Sequence, residues 1–345
     1  MSISFSSSSL VKTLVFVIFF VILTIFSNAS NAREFDNEII SAGENSHHHH
    51  TDLASIATGN FYNDIKNKDW AIKMAIHCAA SNPTLQRKDD TLTLASSFYH
   101  TNYEPTWSCG FEEKLGERGD GGKWICDPHR ISKQKQKCLA YSIGSNNQYD
   151  FEEAINRHVP GCEIHTFDPS IIKSEITAPK IVSFHNFAIT SNSGDANSNN
   201  NNSNNSNNIE QSKRSLRNTV PPSEWNSKNM GQVIDLLKHE NRVIDIFKID
   251  CEACEYDFFS DALWNVLREK NVIIRQIQIE IHAPTGVDVF NLKMKDKDKM
   301  IKLFDMFANN GYVMFHKEPN NLGKRPGNCI EASFLKIADS KPTCI

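Results

Sequence analysis

The chain has 345 residues, with 37 Lys and Arg against 41 Asp and Glu and a formal net charge of -4 at pH 7. That length holds one large domain or two small ones. The charge leaves no basic excess for nucleic acid and no acidic tract for a solvating tail, and 39% hydrophobic residues suffice for a packed core.

Residues 1–32 read as a targeting segment. Lys12 supplies positive charge, Leu14 to Phe26 is an uncharged apolar run, and Ser30-Asn31-Ala32 offers small residues for cleavage before Arg33. The run is short for a membrane span, which wants ~20 residues. Leu10 and Val11 extend it, so residues 10–26 are also a candidate type II anchor. Cleaved signal or retained anchor, either outcome sends the remainder into the secretory pathway, as a secreted or ER/Golgi luminal protein. Nine cysteines suit that compartment, because disulfides persist there. Their odd number predicts at least one free thiol. Cys251 and Cys254 form a C-x-x-C pair with no second pair to complete a structural zinc site, so a disulfide or two packed thiols is expected.

Residues 33–95 form a polar leader and a flanking helix. His47 to His50 is a low-complexity run. Phe61, Ile65, Ile72, Ala75, Ile76 and Ala79 recur at helical spacing and predict a helix over Phe61 to Ala80, stopped at Asn82-Pro83.

The main domain is expected over residues 96–345. An apolar strand, Cys138 to Ile143, ends abruptly at Gly144-Ser145-Asn146. A helix from Phe151 to about His158 and a strand, Glu163 to Phe167, lead to Asp168. Strand, glycine turn, helix, strand, carboxylate is the first half of a nucleotide-binding α/β unit. Gly144 permits a tight turn and close approach of a ligand, and Asp168 lies at the usual reach for a ribose diol. One glycine in place of three removes the pyrophosphate cradle. That favours a nucleoside cofactor without a diphosphate, S-adenosylmethionine over NAD.

A strand follows over Lys180 to Ile189. An insertion at 191–218, with its Asn- and Ser-rich tract Ser191 to Asn208, cannot bury apolar surface and is predicted disordered; it carries sequons at Asn201 and Asn204. Beyond it come a helix (Met230 to His239), a strand (Arg242 to Asp250), a helix (Tyr256 to Lys270), a strand (Val272 to His282) and a helix (Asp298 to Asn309). Two final strands, Gly311 to His316 and Cys329 to Ile337, have no helix between them. The pattern predicts an α/β fold: a seven-stranded, mostly parallel sheet with one antiparallel strand and helices on both faces.

In such sheets ligands bind outside the carboxyl ends of the strands. Polar residues gather there: Gly144, Ser145 and Asn146; Asp168; His185, Asn186 and Phe187; Asp250 and Glu252; Glu280 and His282. Asp250 either caps the following helix or stands in the cleft. Glu252 either complements a helix dipole or joins it. Glu280 and His282 share one face of their strand, and His282 is either a satisfied core histidine or a site residue.

Five ordered segments, GDGGKWICDP (119–128), CLAYSIGSNNQYDFE (138–152), IHTFDPS (164–170), FKIDCEACE (247–255) and IQIEIH (277–282), together resemble the methyltransferase-like protein 24 type, related to the FkbM-type methyltransferases with their K-I-D-x-E-G-x-E segment. The resemblance implies a class I, Rossmann-like S-adenosylmethionine-dependent fold with strand order 3-2-1-4-5-7-6. It places Gly144, Ser145 and Asn146 along the methionine side of the cofactor, Asp168 on the ribose, and Asn186 and Phe187 near adenine. Asp250 and Glu252 would border the reacting centre, with His282 beside them as a further candidate base. Lys123 and Trp124 either close over the site or belong to a turn. Ala253 replaces the usual glycine; it is strained if that position needs φ > 0 and harmless if it only starts a helix. No metal site is assigned, although carboxylates holding a divalent metal remain an alternative to a base. The expected function is O-methylation of a hydroxyl on a small molecule or glycan in the secretory pathway, with no nucleic-acid partner; the alternative is a non-catalytic luminal binding protein on the same scaffold. Oligomeric state is not legible.

Overall fold

The computed structural model describes residues 61–62, 64–81, 89–117, 121–134, 136–191, 220–284, 291–319, 329–342 and 344, all within the compact unit Asp52–Ile345. The targeting segment, the histidine run and most of the Asn-rich insertion lie outside the described residues.

Seven strands form the central sheet: β3 (Leu139–Ile143), β4 (Glu163–Phe167), β5 (Val182–His185), β9 (Ile246–Ile249), β11 (Gln276–His282), β12 (Tyr312–Pro319) and β13 (Cys329–Lys336). Their order is β12-β13-β11-β9-β3-β4-β5. Numbered as seven and read from β5, that is 3-2-1-4-5-7-6, as expected. β13 runs antiparallel to both its neighbours, and the other neighbours in the sheet are parallel. β3 is buried along its whole length, which is why its sequence is a continuous apolar run.

Helices cover both faces. Leu139, Tyr141 and Ile143 point to a core shared with α2 (Ala95–Asn102), α5 (Met230–Leu237), α7 (Asp261–Glu269) and α8 (Met294–Asn309). Ala140 points the other way, to a core shared with α1 (Asn67–Ala80), α3 (Pro128–Ser132) and α4 (Asp150–His158). The α1 helix belongs to this second core through Trp70, whose ring lies 5.3 Å from Trp107. Asn229 opens α5 with a capping box: its Oδ1 accepts from the Gln232 backbone N–H, and Gln232 Oε1 accepts in return.

Several boundaries differ from the sequence reading. The expected strand Lys180–Ile189 breaks at Asn186-Phe187; its second half, β6 (Ala188–Thr190), pairs with β7 (Ser227–Asn229) outside the main sheet. The expected helix Tyr256–Lys270 breaks at Phe259-Ser260 into α6 (Glu255–Phe258) and α7. The short β8 (Val243–Ile244) and β10 (Ile273–Ile274) pair just ahead of β9 and β11. A hairpin the sequence did not announce, β1 (Glu112–Leu115) with β2 (Lys123–Cys126), lies over β11. Along β11, Ile277, Ile279 and Ile281 face the first core, while Gln276, Gln278, Glu280 and His282 alternate on the opposite face, all buried. Gln276 seats the hairpin there: its Oε1 accepts from Cys126 N at 2.8 Å and its Nε2 donates to Cys126 O at 2.7 Å.

Four disulfides join Cys78–Cys344, Cys109–Cys126, Cys138–Cys162 and Cys251–Cys254, leaving Cys329 as a buried thiol. Among the described residues no helix is long and apolar enough to cross a membrane; residues 10–26 are not among them.

Where β4, β5 and α5 meet, a chain of side chains is satisfied with neutral histidines. His165 Nε2 and His239 Nε2 both lie at Glu163 Oε1, His165 Nδ1 faces His185 Nε2 at 2.9 Å, and Tyr141 Oη lies 2.7 Å from His239 Nδ1. Burial holds all three imidazoles below their ordinary range, and for His185, also facing His165 and His239, down to about 4. Burial pushes Glu163 up, but the hydrogen bonds from His165 and His239 outweigh it and hold the carboxyl near about 2. The unfolded chain takes up histidine protons at about 6.5, the folded chain only at lower pH. Unfolding therefore binds protons, and stability falls as pH drops from about 6.5 towards about 4. The melting temperature should follow that fall, and His185→Phe, which keeps a ring against Phe167, should make it shallower. An unchanged slope in the variant would reject the assignment.

Candidate active site

At the carboxyl end of β3 the chain turns through Gly144, at φ +79°. A Cβ there would stand 1.9 Å from the Asp250 carbonyl oxygen. Glycine is required because the ends of β3 and β9 nearly touch. The Lys248 ammonium donates to the Gly144 carbonyl, tying the two strands again. Asn146 and Asn147 follow in the left-handed region at φ +46° and +59°, where asparagine is enriched.

Asp168 organises this turn. Its Oδ2 accepts from the Ser145 N–H (2.9 Å), the Ser145 hydroxyl (3.1 Å) and the Asn146 N–H (2.8 Å). Its Oδ1 accepts from the Ser170 N–H (2.9 Å) and hydroxyl (2.6 Å). Asn186 Nδ2 donates to the carbonyls of Asp168 and Ile171 at 3.0 and 2.9 Å. Phe187 is half-buried, 5.7 Å from the Phe167 ring, with the Lys228 ammonium 5.5 Å above its face. The His185 side chain joins the histidine chain with His165, while its carbonyl accepts from the Asp168 N–H at 3.0 Å and its ring lies 5.6 Å from that of Phe187.

The segment after β9 carries the second group. Cys251 and Cys254 are bridged, and between them Glu252 and Ala253 both take left-handed conformations, at φ +56° and +80°. The K-I-D segment therefore does need φ > 0 where glycine usually stands, and Ala253 is held there against its preference. No side chain caps α6, so Asp250 is not a helix cap; its carboxylate turns to Lys123 at 3.8 Å. The Glu252 side chain is exposed, yet its Oε2 lies 3.6 Å from His282 Nε2. His282 is buried: its Nδ1 meets Glu255 Oε1 at 2.7 Å, and its carbonyl accepts from the Tyr99 and Tyr256 hydroxyls.

Lys123, from the hairpin, is 2% exposed and faces three acids: Glu331 in close contact, and Asp250 and Glu280 at 3.8 Å each. Burial pulls the Lys123 ammonium down, but Glu331, Asp250 and Glu280 outweigh it and hold it above its usual range. Burial pushes Asp250 up, but Lys248 and Lys123 keep it ionised below the ordinary value. One lysine does not neutralise three acids. Glu280 carries the surplus and is pushed up to about 8 by burial, Asp250 and Glu331. Burial pulls His282 down, but Glu255 outweighs it and raises the imidazole to about 10. His282 is thus a cation at neutral pH and takes no further proton.

The structure brings Asp250, Glu252 and His282 together at adjacent strand ends, and Gly144, Ser145, Asn146 and Asp168 at the next. Asn186 and Phe187 flank Asp168 from beyond. Trp124 turns away: its indole N–H donates to Glu318 and its ring stacks on His316 at 4.0 Å. Sequence reasoning did not find Glu255, Glu331 or Cys329. The signal for Glu331 was an acid inside an otherwise apolar strand.

The strand order, with a glycine turn, an acid and a polar second loop at successive carboxyl ends, defines a class I methyltransferase-like scaffold. A family model described as a methyltransferase domain matches residues 52–336, and the chain belongs to that methyltransferase family. No curated protein shows a match. Solved structures do. One, a single-site mutant of the 16S rRNA (adenine(1408)-N(1))-methyltransferase from Catenulisporales acidiphilia, is similar at 10% identity, covering 67% of this chain and 100% of that one with a TM-score of 0.28.

Relieving the left-handed alanine tests the reading of its loop. An L-residue there costs roughly 1–2 kcal/mol, partly offset by the unfolded-state entropy that glycine adds. Ala253→Gly should therefore raise the melting temperature by about 1–3 °C. A fall would mean that the Ala253 methyl group packs more than it strains.

Proposed function

We propose that the protein is an S-adenosylmethionine-dependent methyltransferase of the methyltransferase-like protein 24 type, acting on a hydroxyl of a small molecule or glycan in the secretory pathway. The observation that carries this is the contact between Gly144 and Asp250. It sets the cofactor turn of β3 directly against the backbone of the acidic segment of β9, so a group held at one lies beside the other. The residues fit a nucleoside cofactor. A glycine turn ends β3, a buried carboxylate ends β4, and a half-buried aromatic ring follows β5. Gly144, Ser145 and Asn146 would hold the methionine side, Asp168 the ribose, and Asn186 and Phe187 the adenine. When bound, the sulfonium supplies an activated methyl group with its own leaving group.

The remaining work is positioning and proton removal. Of the three candidate bases, Asp250 has the geometry: it is partly exposed, adjoins the cofactor turn and is fixed by Lys123. A cavity of about 270 Å³ opens beside Ala253, its wall mixing Asp257, Asp261, Lys299 and Lys302 with Phe259, Leu303 and Met306. Four disulfides support an oxidising compartment.

Two measurements test this. Asp168→Ala should weaken S-adenosylmethionine binding by at least about tenfold in calorimetry, at least ~1.4 kcal/mol, and should also lower the melting temperature, because the Ser145 and Asn146 N–H groups lose their acceptor. A variant unchanged in both has no role in the turn. Asp250→Asn should lower turnover by about 10²–10⁴-fold with cofactor affinity intact, measured on an acceptor found by screening glycans with labelled cofactor. Full turnover in that variant removes Asp250 as the base.

A further inference from the structure

The polar face of β11 and β13 holds a constellation that base catalysis does not use. In their antiparallel register Glu280 stands opposite Glu331, and His282 opposite Cys329. Opposed residues share a face of the sheet. Glu280, His282 and Cys329 are 5%, 6% and 7% exposed, and one donor atom from each lies within 4.8 Å of the others. Cys329 Sγ is 2.9 Å from Glu280 Oε1, and His282 Nε2 is 3.6 Å from the same oxygen. Around a tetrahedral ion with bonds of about 2.0–2.3 Å, donor atoms sit roughly 3.3–3.7 Å apart. The His282–Glu280 spacing of 3.6 Å falls inside that range, and the Cys329–Glu280 spacing of 2.9 Å, a hydrogen-bond distance, would open by about half an ångström on binding.

Two of the three ligands are already supported from behind. Glu255 engages His282 Nδ1 at 2.7 Å, which orients the ring with Nε2 towards the cluster; a carboxylate behind a ligating imidazole is the usual support of a metal site. Lys123 approaches the other oxygen of Glu280, Oε2, while Oε1 faces Cys329 and His282. Glu255 Oε2 and Glu331 Oε2 are buried without a hydrogen-bond partner, so acceptors outnumber the donors around them. Cys329 is the cysteine outside the disulfides. The other compact set, Glu163, His165 and His239, differs in chemistry: it has no thiol, its Glu163 is partly exposed, and its histidines are satisfied by Glu163, His185 and Tyr141.

We propose that Glu280, His282 and Cys329 bind a zinc-class divalent cation. A carboxylate, an imidazole and a thiolate select a borderline-soft ion, whereas Mg²⁺ and Ca²⁺ take oxygen ligands. Bonds form from Oε1, Nε2 and Sγ to the ion, and the protons on the Cys329 thiol, on His282 Nε2 and on the Glu280 carboxyl leave to solvent. Lys123 balances the surplus negative charge. Glu252, on its exposed loop, adjoins the cluster, with its Oε2 3.6 Å from His282 Nε2. Three protein ligands with one open position is the composition of catalytic zinc, so an acceptor oxygen has a place there; that last clause alone rests on the methyltransferase reading.

The test uses the full chain with His47 to His50 replaced by alanine, which removes adventitious binding by the histidine run. Cobalt(II) is the probe. One equivalent should bind with a sulfur-to-cobalt charge-transfer absorption and be displaced by zinc. Cys329→Ser should abolish that absorption and weaken zinc binding at least about tenfold, and Glu255→Gln should weaken it about 10–100-fold with the absorption retained. Absence of stoichiometric binding, or binding without the thiolate absorption and unchanged in Cys329→Ser, overturns the proposal. Calorimetry with S-adenosylmethionine on the same samples separates the two readings: the ion bound without the cofactor keeps the metal site and removes the methyltransferase function, and the cofactor bound without the ion does the reverse.

Discussion

A lysine buried among carboxylates is the constraint on which the rest of this molecule depends. Lys123 is carried by a two-stranded hairpin, and its ammonium group meets acids from the ends of β9, β11 and β13. Burying such a charge alone costs several kcal/mol, and removing one partner of a buried pair costs about 3–5 kcal/mol. The hairpin and the three strand ends are therefore stable only together. The Gln276 amide and the Cys109–Cys126 bridge hold the same hairpin in register. A polar strand face that would otherwise need water is thereby sealed at one side of the cleft.

The opposite side of the cleft is fixed by proximity rather than charge. Gly144 leaves no room for a side chain against Asp250, and Lys248 and Asp168 bind the same turn from two directions. Strain collects between these clamps. Asn146, Asn147, Glu252 and Ala253 all adopt left-handed conformations there. Backbone strain of about 1–3 kcal/mol per residue persists only where surroundings over-determine it, and here a disulfide, an ion-pair cluster and a five-donor carboxylate do so.

Much of the fold was legible because parallel strands buried on both faces must be apolar throughout, as in Cys138 to Ile143, and because each run stops where polar groups begin. The strand-end residues followed from the same boundary. The hairpin was not legible: Glu112–Leu115 and Lys123–Cys126 are four residues each and show no apolar alternation. In β11, alternation was visible but its meaning was not. A period of two normally puts polar residues in water, and here that face is covered by another part of the chain. The role of Asp168 in its own turn, with donors from Ser145, Asn146 and Ser170, depends on hydroxyl and backbone positions that spacing does not encode. Ala253 posed a question of backbone sign that only the folded loop answers.

The bridge between Cys78 and Cys344 joins positions 266 residues apart. It turns nearly the whole domain into a covalent circle, worth about 5 kcal/mol on the chain-entropy view. In a circle a single scission opens the ring without releasing either part. If the peptide is cut between Ser191 and Val220, β3, β4 and β5 stay on one piece and β9, β11, β12 and β13 on the other, hydrogen-bonded side by side across β3 and β9 and tethered at the far end by sulfur. Cut there, the two parts would remain one molecule for as long as the surroundings stay oxidising.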